Sequence, residues 1–182
     1  MFHSAWISLA GQREPLDRKP DAEHYARTMN EPSVEKPSGK PRLPEYALYK
    51  PNPRGTGAVV RFGLNREKEA VFVDGANQSG EKQFNWEQKI TMKWGLPDLG
   101  AVLAVLEGRT PQAKLFHKTE KSNSAFEMAA QDGAERAPYF MHLSRQDAST
   151  KKVQKVSVPV SHAEAAVLET ALKTAVARLL SW

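Results

Sequence analysis

The chain of 182 residues contains no cysteine, and aromatic residues make up only 8% of it. Without thiols it can form neither a disulfide nor a thiolate metal site, which fits a reducing compartment. Its five histidines lack the spacing of metal ligands, so no metal site is expected. No apolar run approaches the roughly 20 residues that cross a bilayer, so no membrane partner is expected either.

Sequence patterns typical of catalysis are also missing. Gly55-Thr56-Gly57 lies in a predicted hairpin and lacks the further glycine and the helix of a phosphate-binding loop. There is no nucleophile elbow around a serine, and no acidic residue has a context that indicates activation. We therefore expect neither enzyme activity nor a cofactor.

The composition favours a folded, basic protein. Hydrophobic residues make up 40% of the chain, which is enough to build a core, and 26% of the residues are charged. The net charge of +5 and the pI of about 9.4 favour polyanionic partners, although many basic proteins bind no nucleic acid.

The pattern divides the chain into a leader, residues 1–44, and a folded domain, residues 45–182. The leader is rich in proline and has no sustained hydrophobic period, so we predict that it is disordered or weakly ordered. It has neither the basic start of a signal peptide nor the low acid content of a transit peptide. Met29 is an alternative start of the protein, in which case 30–44 would form the N-terminal tail.

Residues 45–94 alternate polar and apolar side chains as strands do. We predict four strands: Glu45–Lys50, Gly57–Leu64, Ala70–Val73 and an eleven-residue strand from Phe84 to Trp94. Pro51-Asn52-Pro53-Arg54-Gly55 should form the first turn, and Asp74-Gly75, Asn77 and Gly80 a later one. In the fourth strand Trp86 and Trp94 should share a face, with Trp94 in the core, and Lys89 and Lys93 should lie on the opposite, solvated face.

A helix follows, and the pattern then repeats. Pro97 should begin this helix and Gly108 should end it. The next predicted strands are Lys114–Lys118, Ala125–Ala130, Pro138–Ser144 and Lys152–Val160, of which the second also suits a helix. The predicted fold class is therefore α+β, with four antiparallel strands and a helix, twice.

The last helix is predicted from Ser161 to Trp182. Ser161 and Glu164 have the spacing of a capping box at its start. Its apolar residues recur at helical spacing in a stripe wide enough to serve both the core and a subunit contact. The residues that we expect at an oligomer interface are Leu168, Leu172, Val176 and Leu179.

Four stretches resemble the Whirly proteins, a single-stranded-DNA-binding family of plant organelles. They are Leu48-Tyr49-Lys50 with Ala58-Val59-Val60, Phe84 to Lys89 leading to Asp98-Leu99-Gly100, Leu115-Phe116-His117, and Val158 to Leu168 with the closing Leu179-Leu180-Ser181-Trp182. The resemblance covers roughly residues 45–182. The family's compact Lys-Gly-Lys-Ala-Ala-Leu signature is replaced here by the longer segment from Lys50 to Val60, which puts in doubt the higher-order assembly attributed to that signature, as distinct from the tetramer.

The resemblance implies two four-stranded antiparallel sheets packed across each other, with helices that join four subunits. It implies that single-stranded DNA lies along the sheets and between subunits, with little sequence preference. Relatives in fold are the kinetoplastid guide-RNA-binding proteins and a eukaryotic single-strand-binding transcriptional coactivator, so RNA is an alternative partner. The expected location is the nucleoid of a bacterium or of an organelle.

Binding of a single strand needs cations for the phosphates and rings on which bases stack. The residues that we predict for this role are Tyr49, Lys50, Arg54, Arg61, Arg66, Lys68, Trp86, Lys89, Lys93, Lys114, Lys118 and Lys152. For the alternating lysines, a solvated face without function is an equally good interpretation before the resemblance is considered. An oligomeric scaffold that holds a protein partner is the second hypothesis for the whole chain.

Overall fold

The computed structural model describes residues 44–133 and 135–182. The predicted leader, apart from its last residue, lies outside the described residues. Within them, no helix is long and apolar enough to cross a membrane. The elements in chain order are β1 (Glu45–Lys50), β2 (Ala58–Asn65), β3 (Ala70–Gly80), β4 (Gln83–Phe84), β5 (Ile90–Trp94), α1 (Leu96–Leu106), β6 (Gln112–Lys118), β7 (Ser122–Ala130), β8 (Tyr139–Asp147), β9 (Val153–Val160) and α2 (His162–Leu179).

The strands form two antiparallel sheets. In the first, the order is β1-β2-β3-β5, and the two-residue β4 pairs with the far end of β3. In the second, the order is β6-β7-β8-β9. The predicted α+β class and the two sheets, each followed by a helix, are confirmed.

Two predicted features of the first sheet are wrong. β3 continues through Asp74-Gly75 to Gly80, so the residues predicted as a turn lie inside a strand. The predicted eleven-residue strand is interrupted between Phe84 and Ile90. There, the side-chain oxygen of Asn85 accepts a hydrogen bond from the backbone N–H of Gln88 at 3.1 Å, a local turn that competes with strand pairing.

The core lies between the sheets and under both helices. Val60, Val73 and Met92 face inward from the first sheet, and Met128 and Leu143 from the second, all of them buried. Trp94 is fully buried, as predicted, with its ring centroid 4.6 Å from that of Phe126. Each sheet therefore uses one face for the core and leaves most of its other face, called here its outer face, toward solvent, although Val59 and Ala76 on the outer face of the first sheet are buried.

Both helices begin within one residue of the predicted start, whereas α2 ends at Leu179, three residues before the predicted end at Trp182. Ser161 Oγ accepts a hydrogen bond from the backbone N–H of Glu164 at 3.3 Å, and Glu164 Oε2 accepts one from the N–H of Ser161 at 2.9 Å, which completes the capping box of α2. After α1, Gly108 takes a left-handed conformation (φ 70°).

The close contact between the two sheets explains why a glycine, Gly75, occupies the middle of β3. A Cβ atom at Gly75 would lie 3.2 Å from Leu143 Cδ2 and 3.2 Å from Val156 Cγ1, both on the second sheet. This is tighter than ordinary van der Waals contact, so the missing side chain lets the sheets approach. Asn77 strengthens the same junction, because its Nδ2 donates a hydrogen bond to the backbone oxygen of Lys155 at 2.9 Å.

We predict that Gly75→Ala lowers the free energy of unfolding by about 1–2 kcal/mol, because the added methyl group overpacks the junction between the sheets. The matched control is Gly63→Ala, also inside a strand, where a Cβ would meet only one atom, at 4.0 Å. It should leave stability within about 0.5 kcal/mol. Urea unfolding followed by tryptophan fluorescence checks both, and equal effects of the two changes would contradict the proposed packing.

Candidate nucleic-acid interface

The strand register shows which side chains share the outer face of the first sheet. Arg61 of β2 lies opposite Asp74 of β3, which lies opposite Thr91 of β5. Phe72 lies opposite Lys93, and Tyr49 is the outward residue near the end of β1. The strands thus bring together side chains as far apart in the sequence as Arg61 and Thr91.

Aromatic rings line one end of this face. The ring centroids of Tyr49 and Phe84 lie 5.6 Å apart, and Tyr49 is 54% exposed. The guanidinium carbon of Arg61 lies 4.5 Å from the ring centroid of Trp86. Trp86 therefore does not share the face of Trp94, because the turn at Asn85 breaks the alternation on which that prediction depended.

A buried carboxylate lies at the centre of the same face. Asp74, only 7% exposed, accepts hydrogen bonds from Arg61 Nη2 at 2.8 Å, Lys89 Nζ at 2.8 Å and Thr91 Oγ1 at 2.6 Å. Burial alone would raise the pKa of Asp74, but the hydrogen bonds from these three residues outweigh it and hold the pKa below its ordinary value. Asp74 is thus ionised and fixes the directions of two cationic side chains.

A depression of about 380 Å³ lies beside this network. Its lining residues are Glu45, Arg61, Gly63, Asn65, Lys68, Phe72, Asp74, Lys89 and Thr91. The ammonium of Lys68 lies 5.6 Å from the ring centroid of Phe72, and Gly63 leaves open space where a side chain would stand. An apolar ring with cations around it can hold a base and its phosphate.

The outer face of the second sheet carries a smaller group of the same kind. Phe116 is 65% exposed, with the exposed Lys114 and Lys118 two residues to either side on the same face of β6. Lys114 also forms an ion pair, since its Nζ lies 3.9 Å from Glu127 Oε1. Both predicted lysines therefore lie beside an aromatic ring.

The remaining predicted residues lie elsewhere. Arg54 is in the loop after β1, Arg66 in the turn after β2, and Lys152 just before β9. Lys50 points away from the outer face and donates to Glu164 of α2, 2.6 Å from its Oε1. Sequence reasoning missed the role of Asp74, because the sequence predicts a turn at Asp74-Gly75 and the cross-strand partners of Asp74 lie 13 to 17 residues away.

The expected interface residues of α2 divide in two. Leu168 and Leu172 are fully buried within the single chain, whereas Val176 and Leu179 are partly buried. The large apolar residues that α2 and the C-terminus expose are Val167, Leu180 and Trp182.

The family model described as Whirly transcription factor matches residues 54–171, more than half of the chain. The chain belongs to the Whirly family. A curated relative is the potato (Solanum tuberosum) chloroplastic single-stranded DNA-binding protein WHY1, 26% identical over 148 residues, which are 79% of this chain and 50% of that protein. This Whirly chain thus spans about half the length of that relative.

Two solved structures share the fold. The match to the plant transcriptional regulator PBF-2 covers 79% of this chain and 86% of that chain, with a TM-score of 0.63 and 18% identity. The match to a guide-RNA-binding protein complex bound to a guide RNA covers 73% of this chain and 89% of that chain, with a TM-score of 0.53 and 20% identity. These likenesses confirm the Whirly fold that the sequence motifs imply.

The contact between Lys50 and Glu164 should contribute to stability rather than to binding. Lys50→Met keeps most of the aliphatic stem and removes the charge, and we predict a loss of about 1 kcal/mol in the free energy of unfolding at neutral pH. The measurement is urea unfolding of the wild type and the variant at several pH values.

The loss should depend on pH. Burial raises the pKa of Glu164, but hydrogen bonds from Lys50 and Ser161 outweigh it and hold the pKa below its ordinary value of 4.5. A lowered carboxyl pKa stabilises the fold above 4.5, and this contribution is lost as pH falls through the pKa of the folded state. The difference between wild type and variant should therefore vanish in acid; a constant difference would contradict the assignment.

Proposed function

We propose that this chain binds single-stranded DNA with little sequence preference, as a homotetramer and without catalysis. Its work would be to cover exposed strands in replication, repair, recombination, transfer or transcription. The observation that carries the proposal is the outer face of the first sheet, where Tyr49, Phe84 and Trp86 lie beside Arg61 and Lys89. Membership of the Whirly family supports it.

The geometry of this face favours a flexible single strand over a duplex. The exposed ring of Tyr49 and the partly exposed rings of Phe84 and Trp86 offer stacking surfaces to any base, which gives affinity without reading the sequence. Asp74 partly neutralises the cations Arg61 and Lys89 around these rings. They would therefore bind phosphate oxygens through directed hydrogen bonds as well as through their positive charge. Affinity would thus combine stacking with a moderate dependence on salt.

The location that we propose is the nucleoid of an organelle, since the potato relative is a chloroplast protein. RNA is the second candidate partner, because the fold is shared with a complex that holds a guide RNA. Competition between oligo-dT and oligo-U separates the two, since the 2′-hydroxyl is the group by which a protein distinguishes RNA from DNA.

The proposal is tested by titrating a fluorescent oligo-dT with the protein at several salt concentrations. With about four phosphates contacted, the affinity should fall roughly 50-fold between about 50 and 200 mM salt, as counterion release is lost. We expect Tyr49→Ala to weaken binding by about tenfold, the loss of one stacked base. No measurable binding of the wild type at low salt would refute the proposed function.

The matched control is Tyr49→Phe, which keeps the ring and should bind within about twofold of the wild type, because stacking does not need the hydroxyl. If Tyr49→Phe and Tyr49→Ala were equally weak, a hydrogen bond would be responsible rather than stacking. If neither changed the affinity, the strand would not pass over this end of the sheet.

The tetramer is proposed to form through the exposed side of α2. Val167 is 51% exposed and Trp182 is 91% exposed, values that a subunit contact would reduce. Leu172 cannot test this idea, because its burial in the core means that a charge there would unfold the chain.

We predict that Val167→Asp dissociates the tetramer and leaves each chain folded, since the side chain makes no part of the core. Val153→Asp is the control, because Val153 is similarly exposed (47%) but lies on β9. Light scattering after gel filtration gives the mass, and circular dichroism the fold. A Val167→Asp protein with unchanged tetramer mass would contradict this interface.

A further inference from the structure

A cavity of about 580 Å³ lies at the end of the first sheet, between the loop from β1 to β2 and the turn from β3 to β4. It is larger than the depression on the sheet face. Its opposing walls are formed by Pro51, Pro53 and Arg54 on one side and by Gly80, Glu81 and Lys82 on the other. Its volume falls in the range of small-ligand sites, roughly 300–1,000 Å³.

One side chain ties the two walls together. Gln78 Oε1 accepts hydrogen bonds from the backbone N–H of Asn52 at 2.9 Å and of Gly57 at 3.0 Å. Its Nε2 donates to the backbone oxygens of Asn52 at 3.1 Å and of Gly80 at 2.9 Å. The amide oxygen thus accepts two hydrogen bonds and the amide nitrogen donates two, and together they join the two walls of the cavity.

The loop from β1 to β2 is equally constrained within itself. Asn52 Oδ1 accepts a hydrogen bond from the backbone N–H of Thr56 at 3.1 Å, and two prolines fix their own backbone angles. A Cβ at Gly57 would lie 2.2 Å from the backbone oxygen of Lys50, so only glycine fits there. A preformed cavity loses little conformational entropy when a ligand enters it.

The chemistry of the walls suits a nucleotide. Arg54 and Lys82 are both exposed, and in the described part of the chain neither takes part in an ion pair. Lys82 holds a left-handed backbone conformation (φ 55°), which glycine adopts far more easily. Lys82 lines the cavity, and no ion pair in the described part of the chain holds its ammonium elsewhere.

The cavity also continues the stacking surface. Tyr49 precedes Pro51 by two residues and Phe84 follows Lys82 by two, so the ring pair stands where both walls begin. The loop that builds one wall is the segment in which this chain departs from the compact Whirly signature.

We propose that this cavity holds one nucleotide of the bound strand, with the base against Pro51 and Pro53 and the phosphate between Arg54 and Lys82. The nucleotide follows the one that stacks on Tyr49 and Phe84. This inference rests on the proposed binding of single-stranded DNA and adds to it a fixed position at one end of the track.

The decisive variant is Lys82→Gly, which removes the ammonium and relieves the backbone. We expect oligo-dT affinity to fall three- to tenfold while the melting temperature stays equal or rises, and Arg54→Gln should give a similar loss of affinity. The control is Lys151→Gly, which removes a lysine of the same left-handed conformation (φ 59°) from the turn before β9. It should bind oligo-dT within twofold of the wild type.

A second measurement locates the nucleotide. An oligo-dT carrying one 4-thiothymidine should crosslink on irradiation to residues 51–55 or 80–82, as mapped by mass spectrometry. If Lys82→Gly and Arg54→Gln bind like the wild type while Tyr49→Ala is weakened, the cavity is empty of nucleic acid although the proposed function stands. Equal losses in Lys82→Gly and Lys151→Gly would reduce the effect to net charge and overturn the inference. Absence of binding by the wild type would refute both the proposed function and the nucleotide site in the cavity.

Discussion

The contact between the two sheets is the constraint on which the rest of the structure depends. At Gly75 the first sheet comes so close to Leu143 and Val156 that a methyl group would have no ordinary room. The inward faces are therefore packed against each other and under the helices. The outer face of each sheet remains as a surface for binding, and aromatic rings and cationic side chains lie there.

On the first of these faces, the ionised Asp74 sets the balance between charge and order. It removes part of the positive potential that would attract a polyanion from a distance, yet it holds Arg61 and Lys89 in fixed directions. Arg61 is fixed a second time by the ring of Trp86. A preorganised donor loses less side-chain entropy when a phosphate arrives than a free lysine would, so the acid supports binding although its charge opposes it.

Local patterns in the sequence were enough to predict β1, the capping box of α2, the burial of Trp94 and the repeated arrangement of strands and helix. These features depend on neighbours within a few residues or on simple alternation. The break at Asn85 could not be predicted, because Asn85 alternates as well as any strand residue and only its side-chain hydrogen bond to Gln88 shows the turn. Lys50 was assigned to the binding face because the partner that holds it, Glu164, lies 114 residues away.

That last contact joins the two halves of the proposed function. Tyr49 and Lys50 are neighbours in one strand, so their side chains necessarily point to opposite faces of the sheet. The ring faces the bound strand, while the ammonium is held by the first turn of α2, the helix proposed to join subunits. A shift of α2 on assembly would act on the backbone that carries the stacking ring, and a base stacked on that ring would act on the helix in return. Coupling of this kind is reciprocal, so strand binding would change subunit association by the same factor as association changes strand binding.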